Sequence, residues 1–298
     1  MSILSVQNVS KQYHNHLAVD HVNFEMPKGS ILGLLGPNGA GKTSLIRIIT
    51  SITGADTGTI LFDGEKLNLS HPERIGYLPE ERGLYKKMKV GEQLIYLAQL
   101  KGMTKQAAKQ AIEIWLDKFD MSDWWNKKIE ELSKGMQQKV QFVSTVVHRP
   151  PLIILDEPFT GLDPLNTKLI KQEIRQLNEA GTSIIFSTHR MEQVEEICEH
   201  IVLINKGKNI LQGDVRRIKE EYKDHLFKIT FQGQLQSQMI QREILEQNGD
   251  TITIRMHQLS EANLFIRQLM DQGVLVQKFE EVLPTLNDIF IKKVTEEA

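Results

Sequence analysis

Residues 34–49 read LLGPNGAGKTSLIRII, a stretch that leaves the backbone few choices. An apolar run enters it, glycines interrupt it at Gly36, Gly39 and Gly41, and a helical pattern leaves it. Glycine takes positive φ at no steric cost and lets other atoms approach the main chain closely. Residues 36–43, GPNGAGKT, satisfy G-x-x-x-x-G-K-[ST] at every fixed position. The pattern predicts a strand, a loop whose amides converge on an anion, and a helix opening toward the same point. Gly36, Pro37, Asn38, Gly39, Ala40, Gly41, Lys42, Thr43 and Ser44 are the candidate phosphate site. Lys42 is expected to reach β- and γ-phosphates and the Thr43 hydroxyl to ligate Mg²⁺.

Two more apolar runs, PLIILDEP and TSIIFSTH, are nearly continuous rather than alternating. Strands buried on both faces of a parallel sheet read this way. Helical patterns follow the first and third runs, and NTKLIKQEIRQLNEAG links the second to the third. The result is an α/β core. Ligands of such sheets bind at the carboxyl ends of the strands. Asp156 and Glu157 fall at one of these ends, and His189 just beyond another. Asp156 can hold Mg²⁺ directly or through water. Glu157 can act as a general base on water, and His189 can donate a hydrogen bond to a γ-phosphate.

Outside the core, residues 2–9 alternate and suggest an edge strand, with VNFEM and GTILFDG as further strands. From about residue 86 the pattern turns helical, suggesting an insertion. IVLINKGKNILQGD reads as a hairpin, and a domain boundary is expected near Tyr222. Beyond it the order reads strand (HLFKITFQG), mixed helix, strand (DTITIRM), helix, strand and helix, a small α+β domain.

Composition narrows the partners. The 298 residues suggest two domains, and 36 Lys+Arg against 38 Asp+Glu argue against a dedicated nucleic-acid binder. The lone Cys198 excludes a disulfide framework within the chain and fits a reducing cytosol; a small buried residue on a helix is expected there. MSILSVQNVSKQY lacks the pattern of a secretory signal, and no run of roughly 18 apolar residues offers a membrane span. His14 and His16 beside Tyr13 are too few for a metal site, and Trp115 is expected in the core.

Four more stretches stand in order: YLPEERGLY, LSKGMQQK, FTGLDP and STHR. With the phosphate loop and LIILDEP they closely resemble the ATP-binding cassette (ABC) family over about the first 220 residues. The resemblance implies a P-loop NTPase cassette over residues 1–222, with a mixed or parallel sheet core and a helical insertion over about 86–140, and an accessory domain over 223–298. It implies ATP and Mg²⁺ as cofactors, Tyr13 stacking on adenine, LSKGMQQK as the signature and Asp163 in the D-loop. Ser133 and Gly135 would act on the ATP of a second cassette, a copy of this chain or a related one, in a head-to-tail dimer. Lys134 and Met136 depart from the usual Gly and Gln, and Lys134 is expected to face water. At the Q-loop position Glu80 replaces Gln; an ionised carboxylate only accepts hydrogen bonds. Glu80 is expected to serve coupling more than chemistry, with a share in holding Mg²⁺ left open.

GYLPEERGLY, LSKGM and FEEVLPTLNDIFIKKV are similar to a narrower group, the ATP-binding subunits of bacterial sodium-extruding exporters. That implies export of Na⁺ or another small toxic solute through separate membrane permease subunits. The chain would then sit in the cytoplasm, peripheral on the inner face of the cell membrane. The alternatives are a soluble ABC ATPase acting on ribosomes or DNA, and a nucleotide switch with little turnover. The first would carry two cassettes or a long coiled coil; the second is disfavoured by retention of both Asp156 and Glu157.

Overall fold

The computed structural model describes residues 1–81, 83–233, 244–256 and 258–296. It divides into two compact units, Met1–Val215 and Arg216–Ala298, where the sequence suggests a change near Tyr222.

The first unit holds two sheets. The larger joins β3 (Ile31–Leu35), β6 (Ile75–Leu78), β7 (Leu152–Asp156), β8 (Ser183–Thr188), β9 (His200–Asn205) and β10 (Lys208–Asp214) in the order β10-β9-β3-β8-β7-β6. Its strands β9, β3, β8, β7 and β6 run parallel, and β10 runs antiparallel to β9 as the expected hairpin. Every residue of β3, β7 and β8 is buried, which is why these segments read as unbroken apolar runs.

The smaller sheet is antiparallel, with β1 (Ser2–Tyr13) between β2 (His16–Pro27) and β4 (Thr57–Phe62), and β5 (Glu65–Lys66) beyond β4. The expected edge strand at residues 2–9 is therefore an interior strand. Alternation reports which face is buried, whereas β4 reaches β1 only through non-local pairing, such as Leu4 with Phe62. Helix α1 (Lys42–Ile49) shares one buried cluster with both sheets: Leu4, Val22 and Phe62 from one, Ile46 and Ile49 from α1, Ile154 from the other.

The helical segment comprises α2 (Val90–Leu100), α3 (Lys105–Lys118) and α4 (Lys134–Val146). Thr104 caps α3 and Ser133 caps α4, each accepting a backbone N–H of the first turn at 3.3 Å. Trp115 is half-buried and stacks on Phe119, with ring centroids 5.7 Å apart. Helix α5 (Pro164–Glu179) joins β7 to β8, and α6 (Met191–Ile197) follows β8. Cys198 lies just past α6; burial drives its thiol pKa up, so it stays protonated and inert.

Helix α7 (Val215–Glu221) begins at the end of the first unit. The second unit has an antiparallel sheet, β12-β13-β11-β14, made of β11 (Leu226–Gln232), β12 (Ile244–Asn248), β13 (Thr251–Arg255) and β14 (Leu275–Val282). Helix α8 (Leu259–Asp271) contributes Phe265 and Leu269 to a buried cluster with Phe227, Ile229, Ile252 and Ile254; α9 (Leu286–Glu296) ends the described chain. The mixed helix expected after β11 falls partly on residues 234–243, outside the described residues, and residues 244–248 form strand β12 instead.

Candidate functional site

Parallel pairing brings the carboxyl ends of β3, β7 and β8 to one edge, with Leu35 opposite Thr188 and Asp156 opposite Ser187. The glycine-rich loop leaves β3 there. Gly36 has φ 148° and Gly41 φ 110°; a Cβ would lie 2.1 Å from the Ile204 carbonyl oxygen at the first and 2.2 Å from that of Ala18 at the second. Both positions therefore exclude any side chain. Gly39, at φ 77°, has open space around it and needs glycine for conformation alone. Helix α1 starts with Gly41 and no side-chain cap, so its first amides face the loop. Lys42 is buried, and its Nζ donates to the carbonyls of Gly36 (2.7 Å) and Pro37 (3.1 Å).

Across the loop stand the two acids. Asp156 Oδ1 accepts from Ser187 Oγ at 2.8 Å, and the Thr43 hydroxyl lies 3.5 Å from Asp156 Oδ2. A hydroxyl beside a carboxylate is an oxygen donor set suited to Mg²⁺, which keeps several waters and completes its shell with phosphate oxygens. Among the described residues no group of three or more His, Cys, Asp or Glu could hold a metal ion, so phosphate and water would have to supply the remaining ligands.

Glu157 adopts φ 49°, unusual for a residue with a side chain, and its N–H donates to the Ser187 carbonyl at 2.9 Å. Its Oε1 accepts from the His189 backbone N–H (2.9 Å) and pairs with His189 Nδ1 at 2.6 Å; its Oε2 accepts from Thr188 Oγ1 at 3.1 Å. With Nδ1 donating, Nε2 of a neutral ring is an acceptor, so donation to a phosphate from that side requires the imidazolium.

One cleft of about 410 Å³ is lined by Tyr13, His16, Ala18, residues 38–44, Glu80, Asp156 and Glu157. It gathers the sequence-predicted residues Tyr13, Asn38, Gly39, Ala40, Gly41, Lys42, Thr43, Ser44, Glu80, Asp156 and Glu157; Gly36 and Pro37 meet it through Lys42, and His189 through Glu157. Ser133 and Gly135 do not line it. Ser133 is exposed at the start of α4, and accepting the Met136 N–H leaves its own proton free to donate outward. Lys134 is exposed. Asp163 caps α5 by accepting the Asn166 N–H at 2.9 Å, which holds its carboxyl below the usual range.

Sequence reasoning missed four side chains. Ser187 and Thr188 read as part of an apolar run, yet each holds one of the paired acids. Gln138 and Gln141, both buried on α4, donate to the carbonyls of Pro158 (3.0 Å) and Pro79 (3.2 Å). They tie the helix begun by Ser133 to the residue after Glu157 and to the residue before Glu80. Two buried amides three apart on one helix face were the available signal.

Burial pushes the Asp156 carboxyl above its ordinary range against the Ser187 hydrogen bond; Glu80 and Glu157 raise it further, and Lys42 offsets part of this. For an acid raised in the fold, the penalty is absent below its unfolded pKa and grows as pH rises through the folded one. Asp156→Asn is therefore expected to raise the melting temperature of the nucleotide-free protein near neutral pH by roughly 2–4 °C, the response of a unit this size to about 1 kcal/mol. The gain should vanish toward pH 4. Thermal melts across pH, without nucleotide or Mg²⁺, check this; a drop at neutral pH contradicts it.

The family described as ABC transporter matches residues 19–160, and one described as ATP-binding protein DrrA1-3-like, C-terminal domain, matches residues 213–294. The chain is 42% identical to the uncharacterized ABC transporter ATP-binding protein YhaQ of Bacillus subtilis (strain 168), over 98% of each chain. It is 33% identical to the Nod factor export ATP-binding protein I of Cupriavidus metallidurans (strain ATCC 43123 / DSM 2839 / NBRC 102507 / CH34), over 71% of each. Among solved structures, one described as an ATP binding subunit of an ABC transporter superposes with a TM-score of 0.70 at 28% identity, covering 74% of this chain and 93% of that one.

Proposed function

The chain belongs to the ABC transporter family as an ATP-binding subunit with ATPase activity, and from that premise we propose that it powers an exporter. The observation that carries the chemistry is the acid pair at the tip of β7, facing the phosphate loop in one cleft and gripped by β8. In this reading Tyr13 stacks on adenine and the loop amides receive the phosphates. Lys42 leaves the Gly36 and Pro37 carbonyls to donate to β- and γ-phosphate oxygens. Thr43 and Asp156 hold Mg²⁺, with Glu80 at the margin of the same cleft. The ion would neutralise charge on the phosphates as the terminal bond breaks. Glu157 takes a proton from the attacking water, and protonated His189 donates to the γ-phosphate.

Ser133 and Gly135, remote from this chain's own cleft, act on ATP held by a second cassette. The hydroxyl and the amides at the start of α4 donate to its phosphate oxygens. Two such contacts require a head-to-tail pair. ATP drives closure only by binding the closed pair better than the open one. Opening after hydrolysis is transmitted to membrane permease subunits, with Glu80 and the helical segment in the coupling path.

No helix among the described residues is long and apolar enough to cross a membrane. In the proposed reading the translocation path belongs to separate permease subunits, and the chain acts from the cytoplasmic face of the cell membrane. Export agrees with the name of the Nod factor export relative; the cargo is Na⁺ or another small toxic solute. The test is affinity purification of the full chain from solubilised membranes. Multi-spanning membrane proteins in stoichiometric yield are the expected result. Ribosomes or DNA in their place would overturn the transport reading in favour of a soluble ABC ATPase.

A further inference from the structure

We propose that Thr188 is a positioning residue for the carboxylate of Glu157, and that it reserves Oε2 of that carboxylate as the oxygen receiving the proton of the attacking water. The inference rests on Glu157 acting as the base. Thr188 closes β8 and is fully buried, at 0% exposure. Its Oγ1 accepts the Arg190 backbone N–H at 3.1 Å and lies 3.1 Å from Glu157 Oε2. A threonine hydroxyl has one proton, and an ionised carboxylate can only accept. The Arg190 amide takes a lone pair, so the proton points at Oε2.

The two carboxylate oxygens are then unequal. Oε1 meets both the His189 N–H at 2.9 Å and His189 Nδ1 at 2.6 Å, whereas Oε2 meets Thr188 alone among the described residues. A carboxylate oxygen offers about two lone-pair sites. Two donors fill those of Oε1; one donor leaves a site on Oε2. As the water oxygen bonds to the γ-phosphorus, the bond to the bridging oxygen breaks and its electron pair leaves with ADP. The water proton passes to Oε2. Without the Thr188 hydroxyl the carboxylate loses its only fixed contact on that side and can rotate about its last bond, a torsion with a broad minimum. The left-handed backbone at Glu157, bonded to the Ser187 carbonyl at 2.9 Å, shows how closely β8 sets this residue: it fixes main chain and side chain together.

Thr188→Val keeps the shape and removes the donor; Thr188→Ser keeps the donor and removes a methyl. In the full chain, Thr188→Val is expected to lower kcat about tenfold or more, with KM and the affinity for ATP held within roughly twofold, and Thr188→Ser to recover most of the rate. An unchanged kcat in Thr188→Val would sink the proposal. So would a matching loss of nucleotide affinity, which marks a general structural defect, or a serine variant as slow as the valine one. Glu157→Gln is measured alongside. Full turnover in that variant removes the base itself and this inference with it. A dead Glu157→Gln beside a fully active Thr188→Val overturns the role of Thr188 alone.

Discussion

Replacing Glu157 with glutamine is expected to leave ATP bound and unhydrolysed, with steady-state turnover down about 10²–10⁴-fold. The amide matches the carboxylate in size but cannot take a proton from water near neutral pH. Among the described residues Glu157 makes no hydrogen bond to the phosphate loop, whose own closure runs through Lys42 and the carbonyls of Gly36 and Pro37. Nucleotide affinity should therefore stay near that of the parent protein. A head-to-tail pair that closes on ATP and cannot hydrolyse it should accumulate, visible as an ATP-dependent dimer on size exclusion; ADP should not support it. Glu80 supplies the contrast. It is exposed at the rim of the same cleft, and Glu80→Gln and Glu80→Ala are expected to keep most of the ATPase rate while weakening coupling to transport. A loss at Glu80 as deep as that at Glu157 would make Glu80 part of the chemistry. A Glu157→Gln protein retaining more than about a tenth of turnover would take the base role away from Glu157.

The elements around the site were legible because their signals are local. β3, β7 and β8 announce themselves as unbroken apolar runs, since both faces of each are covered. The loop between β3 and α1 announces itself through Gly36 and Gly41, where backbone carbonyls of Ile204 and Ala18 leave no room for a side chain. Strand pairing between distant segments is a different matter. β1 carries a clear alternation, but its place between β2 and β4 depends on the pairing of Ser5 with Leu61, more than fifty residues away. The hydroxyls that hold the acids were hidden for a related reason. Ser187 and Thr188 matter because β7 and β8 align Asp156 with Ser187, and one residue of register shift would break both bonds. Gln138 and Gln141 belong to the same class: their amides meet Pro158 and Pro79 only once α4 packs beside β6. Sequence thus reveals which residues carry charge to the phosphates, and tertiary register decides which residues aim them.

Lys42→Met tests the anion cradle separately from catalysis, and its expected effects on binding and stability point in opposite directions. The methionine keeps most of the length and apolar stem of the lysine and deletes the ammonium. Removing one partner of a desolvated, hydrogen-bonded charge pair typically costs about 2–5 kcal/mol, so ATP affinity should fall about 30-fold or more. ADP should lose part of this, since only its β-phosphate is within reach of the ammonium in the proposed arrangement, and AMP should lose almost nothing. The nucleotide-free protein should not suffer. Burial lowers the Lys42 pKa, and the attraction of Glu157, Asp156 and Glu80 only partly restores it. A lysine whose pKa is depressed in the fold opposes folding while charged, at pH below that folded value, and the penalty fades as pH rises through it. The Gly36 and Pro37 carbonyls each lose a donor, which offsets only part of this relief. Melting of the apo variant should therefore match or exceed that of the parent at neutral pH, with ATP raising the parent's melting temperature and leaving the variant's unmoved. If affinities for ATP and AMP fall together, or the apo variant melts well below the parent, the ammonium is holding the loop in shape rather than binding the terminal phosphates.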